Sequence, residues 1–428
     1  MYLNCHSYYS LRHGVLSIDQ LIWQAEQLQV KALAITETNC TTSMLDFYKA
    51  CKVRDIKPLI GIDFRDNDHQ QLYIGIAKNE EGIHELNSII SDSNLNQVAL
   101  NEYAPECSNC FFIYPFPKSP KQLKTNEYIG IHYSDLPKLR HQQINPDKLV
   151  VHQAVTFLEQ QTANLAKQQT GIDLKELHLL LRSIASNSLI SKLPAHQKPK
   201  KDEQFLPIKE LEECFKHYPQ ILRNTQQLID QCDVKIDFEH KKNKAHFISQ
   251  LQDTEQLDKL TWQGFEKRYD SNDQKAIDRI NNELKVIKKL RFTSYFLITW
   301  DIIRYSKSKG FYHVGRGSGA NSVVAYCLGI TDVDPIELNL YFERFINASR
   351  TSPPDFDIDF SWKDRDTIYN YIFSKYSNGH IALLGTISEF KHKSIIRELS
   401  KVFGLYKEET NNIIFKSDQA TDPLSSKI

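Results

Sequence analysis

Three aspartates stand at alternate positions near the C-terminal part of the chain: Asp355, Asp357 and Asp359, with Phe356 and Ile358 between them and Phe360 after. Successive side chains of an extended segment point to opposite faces, so this spacing puts the carboxylates on one edge and the apolar groups on the other. Like charges that close repel unless a cation compensates. Mg²⁺ and Mn²⁺ are the natural compensators, because hard divalent ions take one or two carboxylates and complete their shell with phosphate oxygens. Two such ions together clamp the attacking and leaving oxygens of a phosphoryl transfer. The competing reading is an exposed edge strand whose acids block aggregation. The large apolar residues between the acids weigh against it.

A second stretch lies some 40 residues earlier. Val314 to Ser322 reads VGRGSGANS, with Gly315, Gly317 and Gly319 beside Arg316, Ser318, Asn321 and Ser322. A glycine-rich turn opening a helix offers backbone N–H groups and the positive dipole end to an anion. Arg316 adds a guanidinium suited to phosphate. No GK[ST] follows, so this is not a P-loop, and no dinucleotide-binding context surrounds it. A phosphate cradle close to a metal-binding strand suggests metal-dependent nucleotidyl transfer.

These residues need elements to position them. SYFLITWDIIRYSKSKG (294–310) has helical spacing and ends at Gly310. A helix over about 319–328 follows the glycine loop, and then comes the acidic strand. LDKLTWQGFEKRY and QKAIDRINNELKVIKKL are amphipathic helices before it. Earlier, the chain alternates strand and helix signals: helix at 21–30, strand at 32–37, helix at 42–55, strands at 57–64 and 72–79. Repeated βα units suggest an α/β layer or barrel. The chain turns helical over 171–236, with a solvated polar loop at 196–204. A polar, irregular stretch at 235–253 reads as a domain boundary.

Composition is that of a globular protein: 428 residues, 41% hydrophobic and 25% charged. Lys plus Arg equals Asp plus Glu, 53 against 53, so any nucleic-acid site must be a local patch. No apolar run is long enough to span a membrane and no signal peptide is visible. Eight scattered cysteines fit reduced thiols in a cytoplasm. Cys107 and Cys110 form a CxxC without a second pair or nearby histidines, so they read as incidental thiols rather than a zinc site.

GFYHVGRGSGANSVVAYCLGITDVDPIELNLYFERFIN followed by SRTSPPDFDIDF closely resembles the palm of C-family bacterial replicative DNA polymerases, the DNA polymerase III α subunits. LNCHSYYSLRHG and ALAITETNCTTSMLDFYKACKVRDIKPLIGIDF resemble the polymerase-and-histidinol-phosphatase (PHP) domain that begins them. The fold class implied is α/β and α+β multidomain: an N-terminal PHP-type α/β barrel over 1–240, a nucleotidyltransferase-like palm over 250–385, and the start of a helical thumb over 386–428. The implied activity is template-directed transfer of dNMP to a primer 3′-OH. Asp355 and Asp357 are the implied ligands of two Mg²⁺ ions, with Mn²⁺ an alternative, and Asp359 supports them. Gly317 and Ser318 map to the triphosphate-binding pair, lined by Arg316, Asn321 and Ser322. Arg344 and Arg350 are candidate phosphate contacts, and Lys391 and Lys393 candidate contacts to the DNA backbone; the bland alternatives are structural arginines and a solvated basic face. The implied partners are primer–template DNA, dNTPs, sliding clamp, clamp loader and proofreading subunits, in a cytoplasmic, nucleoid-associated setting. The family's third catalytic aspartate is expected beyond Ile428, so this chain by itself is expected to be a fragment without activity.

The resemblance departs from its pattern in the first domain. Where active PHP domains begin with His-x-His, this chain has Asn4-Cys5-His6. Asp-Gly is replaced by His13-Gly14, and Thr-Asp-His-Gly-Asn by Thr36-Glu37-Thr38-Asn39-Cys40. His6, Glu37 and Asp63 remain as remnants. The PHP metal is therefore expected to be absent, the barrel is expected to serve as a scaffold, and His13 is expected at the surface. Two other functions stand beside polymerase: a PHP phosphoesterase or 3′–5′ exonuclease, which needs an intact histidine-rich cluster, and a non-catalytic replisome scaffold, which would tolerate loss of Asp355 and Asp357.

Overall fold

The computed structural model of the protein describes residues 1–139, 142–200, 202–238, 246–347, 349–350, 352–376 and 380–421. The chain divides into two compact units, one made of Met1–Asp237 with Ser388–Ile428, the other of Phe238–Ile387. The division falls inside the polar stretch read as a boundary, of which 239–245 lie outside the described residues. The segment expected to begin a thumb groups with the N-terminal unit.

The first unit is built on a curled mixed sheet. Its strands are β1 (Asn4–Cys5), β2 (Ala32–Thr38), β3 (Lys57–Arg65), β4 (Gln71–Ala77), β5 (Cys110–Pro115), β6 (Glu127–Ile131), β7 (Leu149–Val151) and β8 (Ala154–Val155). Strands β2 to β7 follow one another in a six-stranded sheet in which β4 runs against its neighbours and the others run parallel. β8 pairs in parallel with β1, and Tyr2 bridges to Leu33 at the start of β2. The segment 149–155 thus pairs with β6 through its first half and with β1 through its second, which joins the two ends of the sheet. Alternate residues enter two apolar layers: Leu33, Ile60, Phe112 and Val151 one, Ala34, Leu59, Ile113 and Val150 the other. Burial on both faces is why these strands read as near-continuous apolar runs.

Helices Ile18–Gln27, Met44–Val53 and Glu80–Asn96 connect the early strands. Ser17 starts the first with a reciprocal capping box to Gln20. Helix Pro219–Asp230 packs on β7, where Thr225 Oγ1 accepts from the Val151 N–H at 2.8 Å. All eight cysteines are free; the Cys110 thiol, at the head of β5, donates to Gly82 O at 3.2 Å.

The second unit is helical around a small ladder. Helices Gln250–Arg268, Gln274–Lys289 and Thr293–Ser308 enclose a core of Leu257, Ile280, Ile287, Phe296, Val324 and Phe345. β9 (His313–Arg316) and β10 (Asp357–Phe360) form an antiparallel pair. The helix before β9 and helix Arg365–Tyr376 after β10 are held together at Asp301, which is fully buried. Its carboxylate accepts from Tyr371 at 2.7 Å, Lys375 at 2.6 Å and Tyr376 at 2.7 Å. The rings of Tyr305 and Tyr371 stack 3.8 Å apart beside it. The helices that precede β9 and follow β10 are therefore joined through one buried carboxylate.

Candidate metal and nucleotide site

The β9–β10 register sets Asp357 opposite Arg316 and Asp359 opposite Val314, with Ile358 opposite Gly315 and Phe360 opposite His313. Ile358 and Phe360 pack against the core while Asp357 and Asp359 are exposed. This is the two-faced arrangement that the alternation predicts. The strand begins at Asp357, however, so Asp355 precedes it and is separately held. A backbone running through Pro353 and Pro354 cannot donate to a ladder at those positions.

One guanidinium serves both strand carboxylates. Arg316 Nε donates to Asp359 Oδ2 at 2.7 Å and its Nη1 to Asp357 Oδ2 at 3.4 Å. Asp355 Oδ1 accepts from Arg350 Nη2 at 3.2 Å. Arg350 is also a staple for its own loop, donating to the carbonyls of Phe345, Ser352 and Pro353. It thus has a structural role in its loop and a contact to the acidic edge. Arg344 is exposed on a short 3₁₀ turn.

Two glycines are demanded by this geometry. A Cβ at Gly315 would lie 2.1 Å from Ile330 O, so only glycine lets β9 approach that backbone. Gly317 has φ +71°, and a Cβ there would lie 2.5 Å from Asp357 Oδ2. The glycine loop and the acidic strand are therefore in contact at Gly317 and Asp357. Ser318 follows, partly exposed, in a 3₁₀ segment Gly317–Asn321.

The helix expected from about 319 starts at Val323 instead, and its N-terminus does not face an external anion. Glu283, fully buried on helix Gln274–Lys289, accepts from the N–H groups of Val323 and Val324, each at 3.1 Å, and from Ser322 Oγ at 2.7 Å. Arg279 donates to the same carboxylate at 2.8 Å and to Asn321 O at 3.1 Å. Burial pushes the Glu283 pKa up, against the pull of those hydrogen bonds. Ser322 is fully buried and Asn321 nearly so, its Nδ2 donating to Ser318 O at 2.8 Å. These two, expected to line a phosphate cradle, brace the loop from behind, and a carboxylate of the chain itself occupies the dipole end. Glu283 was missed in the sequence. It sits among Ala276, Ile280, Leu284 and Ile287 on the buried stripe of its helix, and an acid at core spacing was the available signal.

Asp357 and Asp359 offer hard oxygens on an accessible edge, which suits an ion completed by phosphate oxygens. Among the described residues no group of three or more His, Cys, Asp or Glu side chains is arranged to hold a metal. The pair therefore fits shared rather than enclosed coordination. Lys391 and Lys393, expected near DNA, are exposed at the start of helix His392–Phe403 and belong to the other unit.

The barrel remnants are arranged differently. His6 Nε2 meets Asp63 Oδ2 at 2.9 Å, Arg65 Nε donates to the same oxygen at 2.7 Å, and Gln71 donates to Oδ1 at 2.7 Å. Burial works to raise the Asp63 pKa, but Arg65 and His6 outweigh it and hold the carboxyl well below the usual range. Glu37 stands apart, accepting from the hydroxyls of Ser7, Ser10 and Ser43 and from the Ser7 N–H. The three remnants are thus not brought to one point. His13 is buried, which corrects the surface expectation: its ring lies 4.9 Å from those of His6, His69 and His178. A cavity of about 410 Å³ opens beside this cluster, lined in part by Asn4, Arg65, His69, His152 and Lys200.

The same two regions carry similarity to known proteins. Residues 3–117 match the PHP domain family, and residues 255–427 match the family described as the bacterial DNA polymerase III alpha NTPase domain. Proteins named DNA polymerase III subunit alpha match nearly end to end of this chain. The one from Bacillus subtilis is 29% identical over 444 residues, covering 96% of this chain and 39% of its own length. Those of Ureaplasma parvum and Borreliella burgdorferi are each 30% identical, over 94% and 96% of this chain and 39% and 40% of their own length. A region similar to PHP domains is thus followed by a region similar to the polymerase III α family. The chain is similar to the bacterial DNA polymerase III α subunits along nearly its whole length and spans about two fifths of the length of the curated relatives it matches. No helix among the described residues is long and apolar enough to cross a membrane.

Proposed function

We propose that this chain carries the metal- and nucleotide-binding palm of a template-directed DNA polymerase, with 250–385 as the palm and the barrel as its scaffold. Its substrates would be primer–template DNA and dNTPs, and clamp, clamp-loader and proofreading proteins would be partners of the complete enzyme. The observation that carries the reading is the contact between Gly317 and Asp357: a positive-φ glycine and an accessible carboxylate meet, with Asp359 and Arg316 alongside. Asp355 and Asp357, with Asp359 in support, would hold Mg²⁺ or Mn²⁺, which when bound stabilises charge on the attacking hydroxyl and the leaving pyrophosphate. Gly317 lets the backbone come close to a triphosphate, and Ser318 and Arg316 donate to it. Glu283 and Arg279 hold that loop in place from the core. Arg350 fixes the backbone that delivers Asp355 to the edge.

The phosphoesterase alternative draws less support, since Asp63 and Glu37 are already consumed by Arg65, His6 and three serines. The test is dATP binding in the presence of Mn²⁺, followed by calorimetry, together with primer extension by this chain fused to the remaining length of the Bacillus subtilis relative. Asp357→Asn is expected to weaken nucleotide binding at least tenfold and to abolish extension by the fusion. Binding and extension that survive Asp357→Asn and Asp355→Asn would return the acids to the role of edge guards.

A further inference from the structure

Arg316 and Arg350 both face the acidic edge, yet they are held differently. Arg350 is fixed by three backbone carbonyls as well as by Asp355. Among the described residues the side chain of Arg316 has hydrogen bonds only to carboxylates, Asp357 and Asp359, and it is more than half exposed. The two carboxylates share one compact cation, and one of them, Asp357, is an implied metal ligand with Asp359 in support. Among the described residues no backbone group ties that guanidinium down, and its attraction to the acids holds it there. Exposed pairs of this kind are weak and readily exchanged.

We propose that Arg316 is an internal counter-cation that holds Asp357 and Asp359 together when no metal is present and is displaced when a divalent ion binds. The proposal rests on the metal reading of this edge. It makes metal loading an exchange of one cation for another, which keeps the paired acids from repelling each other in the empty state. The released guanidinium stays beside Gly317 and Ser318, one and two residues on. There it becomes a donor for phosphate oxygens. Arg316 thereby couples the two ligands: metal binding frees the group that a triphosphate then engages.

The coupling is read from Mn²⁺ titration of the intact chain without nucleotide, following the free Mn²⁺ signal by electron paramagnetic resonance. Arg316→Gln is expected to bind Mn²⁺ roughly fivefold more tightly than the wild type, the scale of a surface pair that no longer competes. The double variant Asp357→Asn, Asp359→Asn is expected to lose at least tenfold and marks which bound ion belongs to this edge. If Arg316→Gln binds as the wild type or more weakly while the double variant still loses affinity, the metal reading stands and the counter-cation proposal is overturned. If the double variant binds as the wild type, the metal reading itself falls and takes the proposal with it. Circular dichroism checks that the variants fold. Should Arg316→Gln fail that check, Arg316→Lys decides: a lysine cannot bridge both carboxylates, so roughly twofold tighter binding supports the exchange and unchanged binding refutes it.

Discussion

The barrel and the β9–β10 ladder both gather carboxylates around a cation, but one is closed and the other open. Asp63 is fully buried, and its oxygens are taken by His6, Arg65 and Gln71. Glu37, equally buried, is taken by serines. Asp357 and Asp359 are about half exposed and share Arg316. The same residue type is thus structural in one place and available in the other. What separates them is burial. A buried carboxylate must be fully satisfied by the protein, and once satisfied it has nothing left for a ligand. An exposed one can trade its partner at little cost.

Truncating Asp63 tests the closed side most severely. Asp63→Ala leaves Arg65 and His6 facing an empty buried site, and a loss of ~3–5 kcal/mol is expected in denaturant unfolding. A loss under ~1 kcal/mol would mean the barrel network is as exchangeable as the ladder. Glu37→Gln places an amide donor among hydroxyls that now donate to a carboxylate, so a smaller loss of ~1–3 kcal/mol is expected by the same measurement.

Acid should distinguish the regions next. His178 is almost fully buried, and its pKa is lowered to about 4, by burial first; the nearby Arg182 and His6 add to this, while Glu203 and the hydrogen bond to His13 O oppose it. His13 is lowered as well, by burial and then by Arg65 and its neighbouring histidines. A depressed histidine pKa means the unfolded chain binds more protons below pH 6.5. Stability is therefore complete above that value and falls as pH drops toward about 4, by at most ~1.4 kcal/mol per pH unit for a histidine such as His178. Thermal unfolding followed between pH 7.5 and 5 should show the barrel's midpoint falling. A flat profile would remove the neutral-histidine account. The smallest effect belongs to the open side: Asp357→Asn should change stability by no more than ~0.5 kcal/mol in the same unfolding experiment. A larger loss would show the ladder to be structural after all.

Much of this was legible in the residues. The alternation of Asp and apolar side chains in 355–360 was enough to orient the edge, because strand period is a local property. The helix over 274–289 and the βα order of the first 77 residues followed from periodicity for the same reason. Asp355 was harder: its place before the strand depends on Arg350 and the prolines acting together. The histidine cluster could not be read at all, since buried His13 and His178 and half-buried His69 are distant in sequence and only the curled sheet gathers them.

The amino-acid sequence by itself determined the local facts: which face of β10 carries charge and where glycine is required. The tertiary structure decided the assignments of partners. It gave the helix N-terminus behind the glycine loop to Glu283 rather than to a ligand, sent His13 inward, and set Arg316 against two acids more than 40 residues away. Period and backbone preference act over a few residues, whereas the satisfaction of a buried charge depends on whatever the fold brings within 3 Å of it.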